Sequence, residues 1–492
     1  METDCQDQKS LREAFERSLL PRLRTLARSW PFPLYLVGGL VRDWVREAKA
    51  WERDIDLTSA GEVPSLAQQA ARLFRGRPIP LDENTWRVLF REGKDRWQLD
   101  LSGLRGEDIS MDLKGRDFTL NAMAIEIKEG PLLLHDPLRG QADLASGRIR
   151  WCSPRCFQED PLRLLRAVRF NAQLGFTMDE ETWEGMRRAS PLLKGISRER
   201  IRDEFFKILS QSGSAGHIQT LKELGLLEVV IPGISGMYQL AQGAPHRLPL
   251  WDHSLSTVQF LELAFSEIEE IAPEWSPLIQ GRLSEPLEGE IDARQVLKLA
   301  ALLHDIGKPL TRTQDEQGRV RFFRHEEEGR SKVSEICRSL RLGNRIRGRG
   351  EALVGSHLRP ILLASEGLLT TRAQYRFFRD LKDLGIDLLL LGWADLRATV
   401  ESGDPQLSRY LDFLGQMLRY RFEESPRRGR PPLVRGRDIM EAFGLPPGPS
   451  IGLLLERIHE AEAEGKFQTR AEGLSYLGAH LDRWMQQREK TD

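Results

Sequence analysis

Disulfide bonds cannot organise this chain, because its 492 residues include only four cysteines. So sparse a set favours a reducing compartment. Cys152 and Cys156 can share a helical face as metal ligands, but no matching pair lies nearby, so they read as ordinary residues. Long apolar runs are also missing. None approaches the ~20 residues that cross a bilayer. The opening METDCQDQKS is polar and acidic, without the basic and apolar stretches of a secretory signal. The expectation is a cytoplasmic protein with no membrane partner. Net charge is nearly absent too, at −1. That argues against a general affinity for nucleic acid. The average nevertheless conceals two basic segments, RLLRAVRF and RSLRLGNRIRGRGE, and an acidic one, FSEIEEIAPEW. Basic patches on a neutral protein suit a local polyanion site.

What is present looks globular. Apolar residues make up 40% and charged residues 29%, and the length suggests about three or four domains. Residues 11–30 read as an amphipathic helix stopped by Pro31 and Pro33. Short strand-like runs follow: LYLV, DIDLT, WRVLF, WQLDLS and AMAIEI. From about 157 onward the periodicity is almost wholly helical. Candidate joints are residues 212–216, the Pro- and acid-rich stretch 272–292, and residues 424–432. There is no fixed-period repeat.

The stretch LYLVGGLVRD, residues 34–43, ends a strand in Gly38 and Gly39 before a helix. Bare backbone N–H groups at a helix start hold phosphates, because no side chain blocks the approach and the helix dipole favours anions. Arg42, one turn in, would lie near the same phosphates. Taken alone, the glycine pair is a tight turn with a surface Arg. Asp54 and Asp56 add chemistry, since residues two apart on a strand face the same way. Carboxylates held that closely repel unless a cation lies between them, and Mg2+ takes one or two carboxylates plus substrate phosphates. Two such ions ~3.5–4 Å apart stabilise the attacking and leaving oxygens of an in-line displacement. Asp100, in WQLDLS, is either a third ligand or a strand-end Asp. Together these residues describe a nucleotidyl-transfer site.

A glycine pair followed by Asp-x-Asp resembles the nucleotidyltransferase superfamily. Two later segments, GRDFTLNAMAIE (115–126) and EDPLRLLRAVRF (159–170), narrow the resemblance. In this order the motifs look like those of the bacterial and eukaryotic class of tRNA nucleotidyltransferases and bacterial poly(A) polymerases, over residues 34 to about 210. Asp160 and Pro161 predict a helix start, with Asp at the N-cap and Pro at the first position. Arg163, Arg166 and Arg169 then form a row that drifts round the helix. By themselves these are a cap and a solvated face. The resemblance implies that Asp160 and Arg163 present hydrogen-bonding groups to the Watson–Crick edge of C or A. It further implies that Arg166 and Arg169 help hold the nucleotide, and that Arg116 contacts its triphosphate or sugar, oriented by Asp117. Side chains then choose the base and no template is needed.

The chain departs from the family pattern in two places. An Arg-Arg doublet is common where this chain has Gly115 and Arg116. Only residues 101–115 separate Asp100 from Arg116, where full CCA-adding members carry a longer flexible loop that helps switch the site from C to A. Members that add only two cytidines have lost much of it, so CC addition is the expected subtype. The alternative is that residues 76–85 supply the mobility.

Downstream, ALLHDIGKP (301–309) places His304 beside Asp305 at the end of an apolar helix, where both can bind one metal. Alone, a helical His is usually packed in a core. With His253, His325, His357 and Asp395, the string resembles the HD superfamily of metal-dependent phosphohydrolases over about 251–400. The resemblance implies a divalent metal, a transition metal or Mg2+. It also implies a hydroxide that attacks phosphorus and substrates with phosphate or 2′,3′-cyclic phosphate ends. The last sixty residues, helices broken at GLPPGPSIG, resemble the C-terminal segment of some family members; an RNA-facing role and simple packing both stand.

The resulting expectation is an α+β protein: a small mixed-sheet nucleotidyltransferase head with an N-terminal helix (1–150), then all-helical parts. These are a base-recognising neck (151–215), a body with an HD domain (216–425), and a C-terminal RNA-binding or packing segment (426–492). The expected activity is template-independent addition of C and/or A to the tRNA 3′ end from CTP and ATP by two-metal transfer. Mg2+ serves the head and a divalent metal the HD site. A poly(A) polymerase is the alternative. An HD phosphohydrolase with a merely nucleotide-binding head is another, against which Asp54 and Asp56 argue. Nothing in the sequence fixes an oligomeric state.

Overall fold

The computed structural model describes residues 13, 15–48, 53–243, 246–367, 369–424 and 431–486. They form two compact units, residues 1–211 with 219–230 and residues 212–218 with 231–492. The change of unit falls beside the glycine-containing stretch 212–216.

Alternating burial builds the first unit. Its seven strands are β1 (Leu34–Val37), β2 (Asp54–Ser59), β3 (Arg77–Pro80), β4 (Thr85–Glu92), β5 (Asp95–Gly103), β6 (Ala124–Glu126) and β7 (Leu133–His135). They lie in the order β3-β4-β5-β2-β1-β6-β7, so the sheet takes in all five strand-like runs read from the sequence. The pair β2 and β5 is parallel and the other neighbours are antiparallel. Ile55, Leu57, Leu99 and Leu101 are fully buried. On the same side the Val63–Phe74 helix packs on β4 and β5, with Phe74 and Phe90 ring centroids 4.8 Å apart. Each such side chain contributes about 1.5–3 kcal/mol by leaving water. Asp54 and Asp56 therefore face the opposite side, and a slip of one residue would exchange the two faces.

Local chemistry shifts two expected boundaries. The N-terminal helix is a π-helical turn, Phe15–Leu19, followed by an α-helix, Leu20–Ser29; residues 11, 12 and 14 lie outside the described residues. The helix expected to start at Pro161 begins instead at Arg163. Asp160 and the two residues after it form a tight turn, with Arg163 N donating to Asp160 O at 3.0 Å and Leu162 N donating to the Asp160 carboxylate at 3.1 Å. Asp160 thus caps the turn rather than the helix.

The second unit is helical apart from short hairpins. Its centre is formed by helices Leu250–Ser266, Ala293–Leu303, His325–Ser339, Asn344–Gly355 and Leu384–Thr399. The last is apolar almost all round, with Ile386, Leu388, Leu389, Leu390 and Leu391 buried. Residues 272–292, expected to be a joint, are folded. They hold a helix, Ser276–Leu283, that tolerates Pro277 in its first turn, and Asp292 caps the next helix in a capping box with Gln295. Of the stretch 424–432, residues 425–430 lie outside the described residues. Helices Gly436–Phe443, Pro449–Ala463 and Arg470–Gln486 share a core of Val434, Ile439, Leu454, Ile458, Leu477 and Trp484. Glu460 anchors this group, accepting from Arg372 (2.8 Å) and Arg376 (2.6 Å) on helix Thr371–Leu381. Among the described residues no helix is long and apolar enough to cross a membrane.

A buried charge cluster tests the packing of this unit. Asp387 is fully buried and accepts from Arg282 at 2.9 Å and from Arg349. Burial pushes its carboxyl up even against the two guanidinium charges. Asp387→Ala leaves both arginines without their carboxylate, and the expected loss is about 3–5 kcal/mol of unfolding free energy. Urea denaturation followed by circular dichroism checks this; a loss under about 1 kcal/mol would mean solvent already compensates the pair.

Candidate active site and metal centre

On the polar face of the sheet the first unit opens a cleft of about 450 Å³. Its lining includes Gly38, Gly39, Arg42, Asp54, Asp56, Arg116, Asp160, Arg163, Arg166 and Arg169, so the structure gathers the head and neck residues that the sequence assigned to the nucleotide site. With Arg87, Arg105 and Arg200 the lining holds eight arginines against five aspartates, an excess of charge that suits a polyanion.

Backbone register sets the centre of this cleft. Val37 pairs with Asp56 across β1 and β2, and Asp56 lies level with Asp100 across β2 and β5. Asp100 sits within β5, not at its end, and both its oxygens accept from Arg87 at 2.8 Å. Gly38, next after Val37, has φ +78°, where L side chains are strained. A Cβ there would come within 2.5 Å of the Asp56 carboxylate. Glycine is therefore needed twice at this position, for the turn and for the close approach.

The arginines are each tied down. Arg42 is buried, not a surface residue; it donates to Asp43 at 2.8 and 3.0 Å and to Asn121 at 3.1 Å. Arg163 donates to the carbonyls of Gly115 (2.8 Å), Arg116 (3.3 Å) and Cys156 (3.3 Å). Arg169 donates to Glu204 at 2.8 Å. The sequence predicts that Asp117 orients Arg116, but the structure pairs neither with the other. Asp117 turns inward, accepts from Phe118 N at 2.8 Å, and pairs with Arg166 at 2.6 Å. Burial opposes its charge, but Arg166 outweighs that and holds the carboxyl below its ordinary range. Arg116 pairs instead with Asp112, one helical turn earlier, at 2.9 Å. Arg200 was not foreseen; it donates to Asp160 at 2.9 Å from helix Arg198–Leu209. Its only sequence signal was a place in a charged helix.

The segment 101–115 is folded. Within it only residues 104–108 and Gly115 lack helix or strand, and Asp108 caps a helix, Ile109–Lys114. Ile109 and Leu113 are buried with Val37, Ala122 and Ala124. Residues 76–85 are likewise occupied by β3, a turn and the start of β4.

A second site lies in the second unit, where His253, His304, Asp305, His325, His357 and Asp395 are all buried. His253, His304 and Asp395 form one group able to hold a divalent cation, and Asp305, His325 and His357 form another. Asp305 stands between them: one oxygen is 3.1 Å from His304 Nε2, the other 3.1 Å from His325 Nε2 and 3.5 Å from His357 Nε2. His253 Nε2 is 3.1 Å from Asp395. In His304, His325 and His357 the Nδ1–H donates to a carbonyl three residues back, at 2.7–2.9 Å, which turns Nε2 toward Asp305 and the facing imidazoles, as a metal ligand would be turned. Burial opposes charge on His304, but Asp305 and Asp395 outweigh it and raise its pKa to about 9. Lys308, in the same local string but not singled out before, reaches Asp305 and Gln242, each at 2.6 Å. The seam behind the site is tight: a Cβ on Gly307 would lie 2.0 Å from His325 O.

A sheet whose paired carboxylates meet a glycine turn in an arginine-rich cleft defines a nucleotidyltransferase, here with an HD domain. The family model for the poly A polymerase head domain matches residues 34–150, and the HD domain model matches residues 250–396. A model described as "Probable RNA and SrmB- binding site of polymerase A" matches residues 175–237. The A-adding tRNA nucleotidyltransferase of Deinococcus radiodurans is 33% identical, over 93% of this chain and 97% of its own length. The CC-adding enzyme of Thermus thermophilus is also 33% identical, over 91% and 94%. In fold, a Thermotoga maritima CCA-adding enzyme complexed with tRNA is similar with TM-score 0.63 at 21% identity, over 94% of this chain and 95% of that one. The chain belongs to the tRNA nucleotidyltransferase and poly(A) polymerase family.

Gly38→Ala tests the close approach. Its Cβ displaces the Asp56 carboxylate, so incorporation of labelled CTP or ATP should fall about 100-fold, as for a misplacement of order 1 Å. Folding should lose about 1–3 kcal/mol, because Gly38 has φ +78° and ψ −146°, a backbone region that is essentially glycine-only. Activity within about threefold of wild type would show that Asp56 need not stay where the glycine puts it.

Proposed function

We propose that the cleft adds nucleotides to the 3′ end of tRNA from CTP or ATP without a template, and that this chain is of the CC-adding subtype. The carrying observation is the pair Asp54 and Asp56, set on the polar face of β2 against the glycine turn and surrounded by excess arginine. The 3′ hydroxyl oxygen forms a bond to the α-phosphorus as its proton passes to solvent, the bond from the α-phosphorus to the bridging oxygen breaks, and pyrophosphate leaves. Asp54 and Asp56 would hold Mg2+, which would supply charge neutralisation at the attacking and leaving oxygens. Arg116, Arg166 and Arg169 orient the triphosphate. Asp160 and Arg163 read the base edge, with Arg200 steadying Asp160. The head is residues 1–150, the neck 151–215, the body 216–425 and the C-terminal segment 426–492. A cytoplasmic enzyme meets its tRNA and nucleotides there.

The subtype rests on residues 101–115. Adding C and then A needs a mobile element near the nucleotide, whereas this segment is a capped helix packed on β1. A fixed geometry also suits a site that adds A alone, and the Deinococcus relative favours that second reading. The HD site is proposed as a phosphohydrolase for phosphate or 2′,3′-cyclic phosphate ends. One or two divalent cations would be held by the groups that flank Asp305.

Asp54→Ala and Asp56→Ala should each abolish labelled CTP and ATP incorporation while keeping the wild-type circular dichroism spectrum. Near-normal incorporation by both sinks the assignment. Sequenced products from tRNA lacking its terminus, supplied with both nucleotides, should end in CC. Products ending in CCA refute the rigid-segment argument, growth only of tRNA already ending in CC favours A addition, and a long adenosine tail favours a poly(A) polymerase.

The two chemistries should also separate. His304→Ala and Asp305→Ala should remove hydrolysis of cyclic phosphate substrates, assayed with Mn2+, Ni2+, Co2+ or Mg2+, while addition survives. Wild type that hydrolyses nothing with any of these metals would reduce the HD centre to a structural fold.

A further inference from the structure

We infer that Phe170 is a positioning residue for nucleotide binding: its ring holds three arginines of the cleft together without neutralising them. This rests on reading the cleft as a nucleoside triphosphate site. The guanidinium carbons of Arg42, Arg166 and Arg169 lie 5.8, 5.5 and 4.4 Å from the Phe170 ring centroid. Three like charges converging on one ring repel one another. Each already pairs with one carboxylate: Arg42 uses all three of its nitrogens on Asp43 and Asn121, Arg166 pairs with Asp117, and Arg169 pairs with Glu204. More carboxylates would bring the cations closer still but would cancel the charge that a triphosphate needs. An aromatic ring solves this differently. Its negative π face attracts guanidinium while carrying no net charge.

The ring is itself fixed. Phe170 is 3% exposed, lines the cleft, and stands edge-on to Phe118 with centroids 5.8 Å apart and planes at 82°. A leucine would fill similar space and exclude water equally well, but it has no quadrupole. Packing alone therefore makes no demand for an aromatic residue, whereas convergence of the three arginines does.

The test keeps shape nearly constant and changes the quadrupole. Phenylalanines carrying one, two and three ring fluorines are incorporated at position 170 of the full chain, and steady-state addition to a tRNA primer is measured against CTP and ATP, with melting temperature in parallel. The expected result is a KM that climbs with each fluorine, roughly tenfold across the series, with kcat within about twofold and melting temperature unchanged. A flat KM overturns the inference, as does a rise in KM that merely follows a falling melting temperature. If wild-type protein shows no saturable use of CTP or ATP, the triphosphate reading beneath it fails and takes the inference with it. A flat series on a saturable wild type removes the role of Phe170 alone.

Discussion

The burial of Ile55 and Leu57 against the core side of the sheet is the constraint from which the head's chemistry follows. A strand has two faces and a period of two, so residues that must leave water on one face dictate which residues stay on the other. Asp54 and Asp56 are set on the polar face by the burial of Ile55 and Leu57 on the other. The neighbouring strands repeat the arrangement, since Leu99 and Leu101 are buried while Asp100 faces the cleft with Arg87. A site that must concentrate negative side chains and then accept a polyanion is stabilised from behind, by apolar packing that does not take part in the chemistry.

The two sites handle buried charge in different ways. In the head cleft several guanidinium groups are each matched by a carboxylate. Asp117 with Arg166 and Glu204 with Arg169 are examples. Pairs of this kind fix direction as much as they supply energy. In the second unit the clustered His and Asp side chains are withdrawn from water, and backbone carbonyls aim three of the four imidazoles. Charge there is concentrated on Asp305, which meets His304, Lys308, His325 and His357 within 3.5 Å.

What was legible in the sequence was what depends on local period and local spacing. The strands LYLV and DIDLT, the glycine turn and the Arg row could be read because neighbours in the chain determine them. Partners brought from elsewhere could not. Asp117 was assigned to the adjacent Arg116, but inward rotation gives it to Arg166, while Arg116 takes Asp112 from the preceding turn. Arg87 carried no signal and Arg200 only its place in a charged helix, because their importance comes from strand register and helix placement. Proline and acidic residues at 272–292 suggested a joint, yet both residue types also begin helices, as Pro277 and Asp292 do here. The six residues of the HD site, spread from 253 to 395, were legible only through resemblance to a family. Sequence spacing over such a distance does not specify which helices meet.

The glycine seam behind the HD site has a consequence for inheritance. Gly307 lies against the backbone at His325, and a Cβ on Gly329 would already sit 3.0 Å from Val354. These positions are small because two segments of chain must touch, whatever the site does. A lineage that ceased to use the metal chemistry could replace its histidines one at a time, each swap relieving a buried polar group of its duty. It could not replace the glycines without prising the helices apart. Among descendants, ligands would vanish first and glycines last, so the small residues testify to ancestry and the imidazoles to use.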